Sequence, residues 1–528
     1  MNKKCITLYD ITGIQDFIFS SAKAKENIGA SIYVQKVFEE GLTDCLKKCF
    51  KENSIKAEWT TDHNFCIINK NLNAEVIYIG GGNAMIAFDS KESAIKVTEL
   101  LSEKILKDTQ ATLGLAVAYQ ETSFENFTED KEALYKNLTK IKNSRYHSTP
   151  LRGISINYEC EDGLPSSGKT SENIYISDVS AMKIELSKQN YYKQLTPKEY
   201  HFPYDFDDLG RNFGDSHLGV VHIDGNNMGL YIDEVMADIN DYSEAVRMIR
   251  NISSKIKTLY QDVFITMVSD LANEIDNKVF KDKLILKGKN LPIRPLILNG
   301  DDVTFVCDGR IAIQLANKFL ELLSKKEIVI NSHQTKLSAC AGIAIVKSHF
   351  PFYRAYELAE SLCSSAKLKA KALNKKTPGS WMDYHIVYSG FQLDLDSLRD
   401  KTYNVPSMKP VSRKTDFPQY NLLLRPFCVS NDSESYYNWE NIQKLFNTMV
   451  KWPRNRLKNL RNSFIISQEE VEICRSNNTS RGYCLPIFLM LDSETNNNVI
   501  FSENQTPYFE ILELLDFYIP ELFSEEED

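Results

Sequence analysis

The chain repeats one structural pattern twice, and this repeat constrains its fold more than any other feature. Both copies open with an apolar strand that runs into a glycine-containing turn, at Gly13 in the first copy and at Gly225 in the second. Each copy continues with a helical segment, two strands that read as a hairpin, a helix, a strand and a trailing helix. This repeat predicts an α+β protein with two related domains.

The β-α-β-β-α-β order of each copy is the ferredoxin-like arrangement on which palm domains are built. A turn-rich connector separates the copies, and the pattern beyond the second copy is largely helical. We therefore expect two ferredoxin-like palm domains and a mostly helical C-terminal domain. The predicted divisions are a degenerate first palm at 1–149, a connector at 150–200, a second palm at 201–390 and a C-terminal helical domain at 391–528.

Carboxylates distinguish the second copy from the first. Asp224 ends the opening strand of the second copy, and Asp301 and Asp302 lie at the turn of its predicted hairpin. Laying the copies over one another predicts that every one of these carboxylates is absent from the first copy. The superposition pairs Thr12 with Asp224, Asn83 with Asp301 and Ala84 with Asp302.

Acids on adjacent central strands are suited to Mg²⁺, which prefers oxygen ligands and keeps several waters. Nucleotidyl-transfer enzymes use two such ions, one to activate the attacking hydroxyl and one to neutralise the triphosphate. We predict that Asp224, Asp301 and Asp302 are catalytic and hold two Mg²⁺ or Mn²⁺ ions. A solvated hairpin tip is the alternative for an isolated Asn-Gly-Asp-Asp, and the presence of Asp224 upstream favours the metal site.

The residues around these acids are predicted to bind a nucleoside triphosphate. Asn299-Gly300 favours a type I′ two-residue turn. Backbone amides after Asp224 are placed to cradle phosphates at the start of the following helix. A lysine of the basic helix at 355–374 is expected to hold the outer phosphates, although most lysines there also fit a solvated face. The predicted nucleotide-binding residues are Gly225, Asn226, Asn227, Gly229, Gly300, Lys367 and Lys371.

Composition excludes several other classes of protein. The net charge of −9 argues against a broad surface that coats nucleic acid. No apolar run is long enough for a membrane span or a signal peptide, so a cytoplasmic protein is expected. The sequence contains neither a C-x-x-C pair nor a His-Asp dipeptide, so neither a zinc ribbon nor an HD nuclease site is expected.

Several segments resemble one family. From about residue 5 to 390 the chain resembles the large polymerase-cyclase subunit of type III CRISPR effector complexes. Asn299 stands where that family has the first glycine of its G-G-D-D motif, a change that turn chemistry tolerates. The matching segments lie at 13–18, 223–229, 299–302, 341–346 and 359–367.

The resemblance implies an activity and partners. It implies that the second palm joins ATP into cyclic oligoadenylate with two Mg²⁺ on its acids, alongside CRISPR-type protein subunits and RNA. The basic segment from Lys451 to Arg461 would meet RNA or an acidic partner, or form a solvated helix face. Two other functions stay open: a dinucleotide cyclase close to the GGDEF enzymes, and a non-catalytic scaffold or sensor that binds nucleotide.

Overall fold

The computed structural model of the chain contains two palm domains and a helix-rich C-terminal region, which confirms the predicted α+β class. Its helices and strands account for both copies of the repeat. The described residues are 3–144, 156, 158–170, 173–189, 191–197, 199–209, 216–237, 239–277, 283–330, 333–375, 377–388, 394–406, 419–429, 437–486, 488, 500 and 505–523.

The first palm is built around a five-stranded sheet flanked by helices. Its strands are β1 (Lys4–Thr12), β2 (Ile55–Lys56), β3 (Ala74–Gly80), β4 (Asn83–Phe88) and β5 (Gly114–Thr122). Its helices are α1 (Ile14–Phe19), α2 (Ala24–Lys36), α3 (Thr43–Cys49), α4 (Lys91–Thr109) and α5 (Phe127–Ser144). In the strand order β2-β3-β4-β1-β5, β1 lies between β5 and the hairpin formed by β3 and β4.

The connector is a small hairpin, β6 (Gly168–Lys169) and β7 (Tyr175–Ile176), followed by α6 (Asp178–Ser187), which packs on α2. The second palm then repeats the plan of the first. Its strands are β8 (His217–Gly225), β9 (Ile293–Asn299), β10 (Asp302–Asp308), β11 (Glu327–Ile330), β12 (His333–Lys336), β13 (Ala339–Lys347) and β14 (Trp381–Ile386). Its helices are α7 (Met228–Met236), α8 (Tyr242–Asp276), α9 (Ala312–Ser324) and α10 (Phe352–Leu373).

The C-terminal region is mostly helical, as the sequence predicts. Pro453 immediately precedes the helix that begins at Arg454. Within the described residues, no helix is long and apolar enough to cross a membrane. The elements are α11 (Leu395–Tyr403), β15 (Asn404–Pro406), β16 (Gln419–Asn421), β17 (Phe427–Cys428), α12 (Trp439–Met449), α13 (Arg454–Ile466), α14 (Gln468–Thr479) and α15 (Tyr508–Glu513).

The central sheet of the second palm is buried on both faces. Its strand order is β17-β14-β13-β8-β10-β9, so a strand of the C-terminal region completes it. Successive residues of β8 point to opposite faces: Val221 and Ile223 join the core beneath α8 and α9, whereas Val220 joins the core beneath α10. Glycine at position 342 lets α10 lie close on β13, because a β-carbon there would stand 1.9 Å from the Ala359 carbonyl oxygen.

The two palms face each other through α10 and their hairpins. Phe19 of the first palm stacks on Tyr356 of α10, with ring centroids 4.0 Å apart. The Gln15 side chain donates a 3.0 Å hydrogen bond to Glu360 on the same helix. At the hairpin tips, the Gly81 amide donates a 3.0 Å hydrogen bond to Asn299 Oδ1. The repeat therefore folds into two palms whose corresponding ends meet.

Candidate active site

The register of the central strands brings the predicted acids together. Asp224, near the end of β8, lies directly across from Asp302, the first residue of β10. Asp301 lies in the turn that leads into β10, and a β-carbon at Gly225 would stand 2.8 Å from Asp301 Oδ2. Three carboxylates thus converge at one end of the sheet, on strands that are held rigidly by their neighbours.

The turn itself differs from the prediction. Asn299 pairs with Asp302, so the two central residues are Gly300 and Asp301 rather than Asn299 and Gly300. Of these two, only Gly300 has a positive φ, at 68°, which corresponds to glycine in the first central position of a type II′ turn. The predicted type I′ turn is therefore wrong, and the Asn299 side chain serves instead as an acceptor for Gly81.

The first palm retains more of the site than the sequence superposition indicated. In the first palm Asp10 pairs with Asn83 across β1 and β4, as Asp224 pairs with Asp302 across β8 and β10. Asp10 therefore corresponds to Asp224, and the prediction that no carboxylate remains in the first copy is wrong. The superposition was misplaced by two residues on β1 and by one on β4, because apolar strands carry no mark of their register.

A lysine accompanies the acid in each copy. Lys142, on the last helix of the first palm, lies 2.8 Å from Asp10. Lys367, on the corresponding helix α10, forms an ion pair with Asp224 and donates a 3.2 Å hydrogen bond to the Gly225 carbonyl. Burial alone would lower the pKa of Lys367, but the Asp224 carboxylate outweighs it and raises the pKa, so this lysine stays charged.

Negative charge is crowded at the second-palm site. Burial, followed by the charges of Asp224 and Asp301, raises the pKa of Asp302 to about 8. Burial and then Asp224 also raise the pKa of Asp301. The Asp302 side chain is 40% exposed, yet its Oδ1 atom is buried and lacks a hydrogen-bond partner among the described residues. Such a cluster is electrostatically suited to receive positive charge.

His222 supports the acids from the adjacent position on β8. Its Nδ1 atom lies 3.1 Å from Thr304 Oγ1 and 3.5 Å from Asp302 Oδ1. Burial lowers its pKa, so the ring is neutral at neutral pH and hydrogen-bonds rather than carrying charge. This placement makes His222 a packed neighbour of the acids.

Residues of the loop after Asp224 form hydrogen bonds to neighbouring segments of the chain. The Asn226 amide donates to the Ser338 carbonyl at 2.9 Å, and its side chain donates to the Gly379 carbonyl at 2.8 Å. The Asn227 side chain donates to the Lys375 carbonyl at 3.4 Å and precedes α7 with a left-handed backbone. Gly229 is exposed within the first turn of α7.

A cavity of about 1790 Å³ opens beside this loop, between α7, α9 and the C-terminal region. Asn226 and Asn227 line it, whereas the three aspartates lie outside it. Lys371 is exposed one turn beyond Lys367 on α10. The predicted site residues therefore fall into two groups, the acids with Lys367 at the strand ends and the 226–229 loop at the cavity.

The donor set fits a divalent cation in its chemistry. It offers three carboxylates, mutual repulsion among them, and one buried oxygen without a partner. Among the described residues, however, no group of three His, Cys, Asp or Glu side chains is already arranged to hold a metal ion. Asp224 is bound to Lys367 instead, so the side chains must turn before they can coordinate a cation together.

Two residues near the acids were missed in the sequence. Glu360 on α10 lies close enough to add to the rise in the Asp302 pKa, and it falls within a segment already noted for its family resemblance. Tyr260 on α8 places its hydroxyl 2.8 Å from the point where a β-carbon of Gly225 would stand. No local signal marks Tyr260, because it lies far from the acids in sequence and within an amphipathic helix.

Comparisons with known proteins agree with this architecture. Residues 217–376 match the family model for the second palm domain of Cas10/Cmr2. No curated protein matches the chain by sequence. The match includes all three acids, the loop after Asp224, and both Lys367 and Lys371.

Solved structures with the same fold come from this family. Csm1 from T. onnurineus aligns with a TM-score of 0.53 at 12% identity, over 99% of this chain and 70% of that protein. The Csm1-Csm4 cassette in complex with cA3 aligns with a TM-score of 0.52 at 14% identity, over 98% of this chain and 69% of that one.

A third alignment is more limited. The Csm1-Csm4 cassette in complex with cA4 aligns at 16% identity with a TM-score of 0.44. The alignment includes 70% of this chain and 53% of that one. The chain thus spans about half the length of that relative. Together, the family match over 217–376 and the fold show that the chain resembles the large double-palm subunit of type III CRISPR effector complexes.

Proposed function

We propose that the chain is a metal-dependent nucleotidyltransferase that joins ATP into an oligonucleotide second messenger of the cyclic oligoadenylate class, in CRISPR-type antiviral defence. The observation that carries the proposal is the pairing of Asp224 with Asp302 across adjacent central strands, with Asp301 at the turn beside them. Palm enzymes need carboxylates on neighbouring rigid strands, because the reacting groups must be held in place with little motion.

Each residue has a distinct role in this proposal. Asp224, Asp301 and Asp302 would hold two Mg²⁺ or Mn²⁺ ions, and when bound these ions would activate the attacking hydroxyl and neutralise the triphosphate. Lys367 would release Asp224 and bind the outer phosphates as a point charge. Gly225 leaves the space that lets the Asp301 carboxylate lie against the backbone of β8.

The reaction is a nucleotidyl transfer. The 3′-hydroxyl oxygen of one ATP forms a bond to the α-phosphorus of another, and the bond from that phosphorus to the β-phosphate oxygen breaks. Pyrophosphate leaves with the electron pair, and the hydroxyl proton is lost to water. The cavity beside the loop that follows Asp224, about 1790 Å³, exceeds the roughly 300–1,000 Å³ of ordinary small-ligand pockets. The three acids do not line it, so its volume supports space for a ligand next to the acids rather than at them.

The bound states of the structural relatives favour adenine nucleotides. Relatives with the same fold were crystallised as Csm1-Csm4 cassettes with pppApA and with cA3. These ligands are a linear and a cyclic oligoadenylate. Carried to this chain, they support ATP as the substrate and a Csm4-like subunit as a protein partner.

The test is direct synthesis. Purified protein is incubated with each α-labelled nucleoside triphosphate, in Mg²⁺ and separately in Mn²⁺, and the products are resolved by chromatography and mass. The expected result is an oligonucleotide made from ATP by the wild-type protein and no product from the Asp301→Ala/Asp302→Ala variant. A product from GTP instead would identify the dinucleotide-cyclase alternative.

A matched control separates loss of the site from loss of the fold. Asp207 and Asp208 are also adjacent acids, in a short 3-10 turn where Asp208 pairs with Lys287. The Asp207→Ala/Asp208→Ala variant should synthesise product at the wild-type rate. Equal synthesis by the Asp301→Ala/Asp302→Ala variant would refute the assignment of the acids.

A second candidate, a nucleotide-binding scaffold, is favoured by one observation. Lys367 already neutralises Asp224, which is compatible with a site that binds phosphates without chemistry. Calorimetry distinguishes the two functions: a scaffold binds ATP tightly yet releases no pyrophosphate with either cation, and the Asp301→Ala/Asp302→Ala variant then binds ATP as tightly as the wild type.

A further inference from the structure

A buried tyrosine hydroxyl lies next to the acids and has no hydrogen-bond partner in the described part of the chain. Tyr260 is on α8, is 1% exposed, and packs its ring near Phe319 with centroids 6.2 Å apart. Among the described residues, its hydroxyl makes no hydrogen bond. Buried tyrosine hydroxyls normally find a partner, and phenylalanine would fill the same apolar space without an unpaired polar atom.

The hydroxyl faces Asp301. The point where a β-carbon of Gly225 would stand is 2.8 Å from Tyr260 Oη and 2.8 Å from Asp301 Oδ2. Both oxygens therefore lie against the same small space, which exists because position 225 has no side chain. Among the three atoms nearest to that point, the carboxylate oxygen belongs to Asp301.

The hydroxyl is available as a donor, because a tyrosine phenol ordinarily keeps its proton up to about pH 10. A neutral phenol is a hydrogen-bond donor, and a carboxylate is the acceptor that it would bind most strongly.

We propose that Tyr260 is a positioning residue whose hydroxyl, unpaired among the described residues, donates to Asp301 when a divalent cation binds and so orients the carboxylate toward that cation. The inference rests on the proposed function, because it assigns Asp301 to a metal site. Carboxylates that ligate metals are commonly held by a second hydrogen bond, and loss of that bond typically weakens metal affinity about 10–100-fold.

The experiment measures Mn²⁺ binding by the full chain, from the electron paramagnetic resonance signal of free Mn²⁺. Tyr260→Phe removes one oxygen and preserves the packing against Phe319. We expect its Kd for Mn²⁺ to rise about tenfold, toward the lower end of the range for such partners. Its thermal midpoint should stay equal to that of the wild type or rise, because an unpaired hydroxyl is removed.

Tyr231 supplies the matched control. It is also buried with an unpaired hydroxyl, on α7, but burial is the sole cause of its raised pKa and no acid contributes. Tyr231→Phe should leave the Mn²⁺ affinity unchanged. Equal weakening in both variants, or none in Tyr260→Phe, would overturn the positioning role.

The Asp301→Asn variant tests the metal site of the proposed function separately from the role of Tyr260. If the wild type binds Mn²⁺ and Asp301→Asn does not, the metal site stands, and the Tyr260→Phe result then decides the tyrosine alone. If Asp301→Asn binds Mn²⁺ as tightly as the wild type, both the metal assignment and the positioning role fail.

Discussion

Asp302 has its two carboxylate oxygens in different surroundings. Oδ1 is buried near His222 and has no hydrogen bond within the described residues, whereas the side chain as a whole is 40% exposed. Its pKa is raised to about 8, chiefly by burial, from an ordinary value of 3.8. The native state therefore keeps a proton that the unfolded chain releases above about pH 4, and stability falls as the pH rises from about 4 to 8.

Replacing this acid by its neutral isostere should stabilise the protein. Asp302→Asn is expected to raise Tm by roughly 1–3 °C at pH 8, after discounting for the exposed oxygen, with a gain that shrinks toward zero near pH 4. Differential scanning calorimetry in metal-free buffer measures it. Asp208→Asn, at an acid paired with Lys287, serves as the control, and a lower Tm for Asp302→Asn would contradict the burial of its carboxylate.

Gly225 is confined by the site itself. A β-carbon there would stand 2.8 Å from Asp301 Oδ2, from Asp301 Cβ and from Tyr260 Oη, closer than real β-carbons come to other atoms. Gly225→Ala should therefore displace Asp301 and lower the rate of product formation by at least about tenfold, as small misplacements do at such sites.

The control for this change is a glycine with free space. Gly168, in the connector hairpin, has no atom within 4 Å of its β-carbon position. Gly168→Ala should synthesise product at the wild-type rate. Wild-type activity in Gly225→Ala would show that Asp301 tolerates displacement.

At the scale of elements, the β9–β10 hairpin shows how a correct strand prediction can hide a wrong turn. Apolar runs on both sides predict the two strands. The four residues from Asn299 to Asp302, however, do not by themselves determine which two form the centre of the turn. The Asn-Gly preference selects Asn299-Gly300, whereas the register selects Gly300-Asp301. The difference frees the Asn299 side chain to contact the opposite hairpin.

Asn299 should protect the amide of Gly81. Its Oδ1 accepts the Gly81 hydrogen at 3.0 Å, and an exposed hydrogen bond of this kind contributes about 1 kcal/mol. Asn299→Ala should therefore speed hydrogen exchange at Gly81 by roughly fivefold, as read by amide-resolved mass spectrometry or nuclear magnetic resonance. Asn299→Asp keeps an acceptor and should preserve protection, and unchanged exchange in the alanine variant would disprove the contact.

At the scale of the whole molecule, one arginine joins the two palms. Arg250 of α8 is fully buried and donates to the Asn64 carbonyl at 2.7 Å, to the Ile77 carbonyl at 3.1 Å and to Glu75 at 3.1 Å. It also donates to the Val76 carbonyl. These acceptors all belong to the first palm, whereas α8 belongs to the second.

Loss of Arg250 should weaken the contact between the palms and lower the free energy of unfolding. Arg250→Met removes the donor of these buried acceptors, while Glu75 keeps the Cys66 and Ile67 amides and an ion pair with Lys56 at 3.6 Å. Loss of the buried hydrogen bonds is expected to cost about 1–3 kcal/mol. Chemical denaturation followed by fluorescence measures the free energy of unfolding. Arg247→Met, on the same helix but in an exposed pair with Glu244, should change it by no more than about 0.5 kcal/mol. If Arg250→Met and Arg247→Met changed the free energy of unfolding equally, Arg250 would not be a stabilising contact between the palms.

The sequence was enough for the architecture and for the three acids, and it failed at long-range register. Periodicity predicts α10 at about 352–374, and the helix runs from Phe352 to Leu373. The equivalence of Asp10 to Asp224 depends on strand pairing, which no local pattern encodes. Tyr260 reaches the acids only because α8 packs beneath β8, so tertiary packing alone reveals it.

The hairpin contact between Gly81 and Asn299 also bears on how activity would respond to dilution. In a dimeric cyclase the second half of the site arrives by diffusion and is lost when the protein is diluted below its dimerisation constant. Under the proposed function, the first palm of the same chain would supply that facing half, and its effective concentration would be fixed by the fold. The proposed synthesis should therefore be first order in protein, with the same rate per molecule at nanomolar and micromolar concentrations.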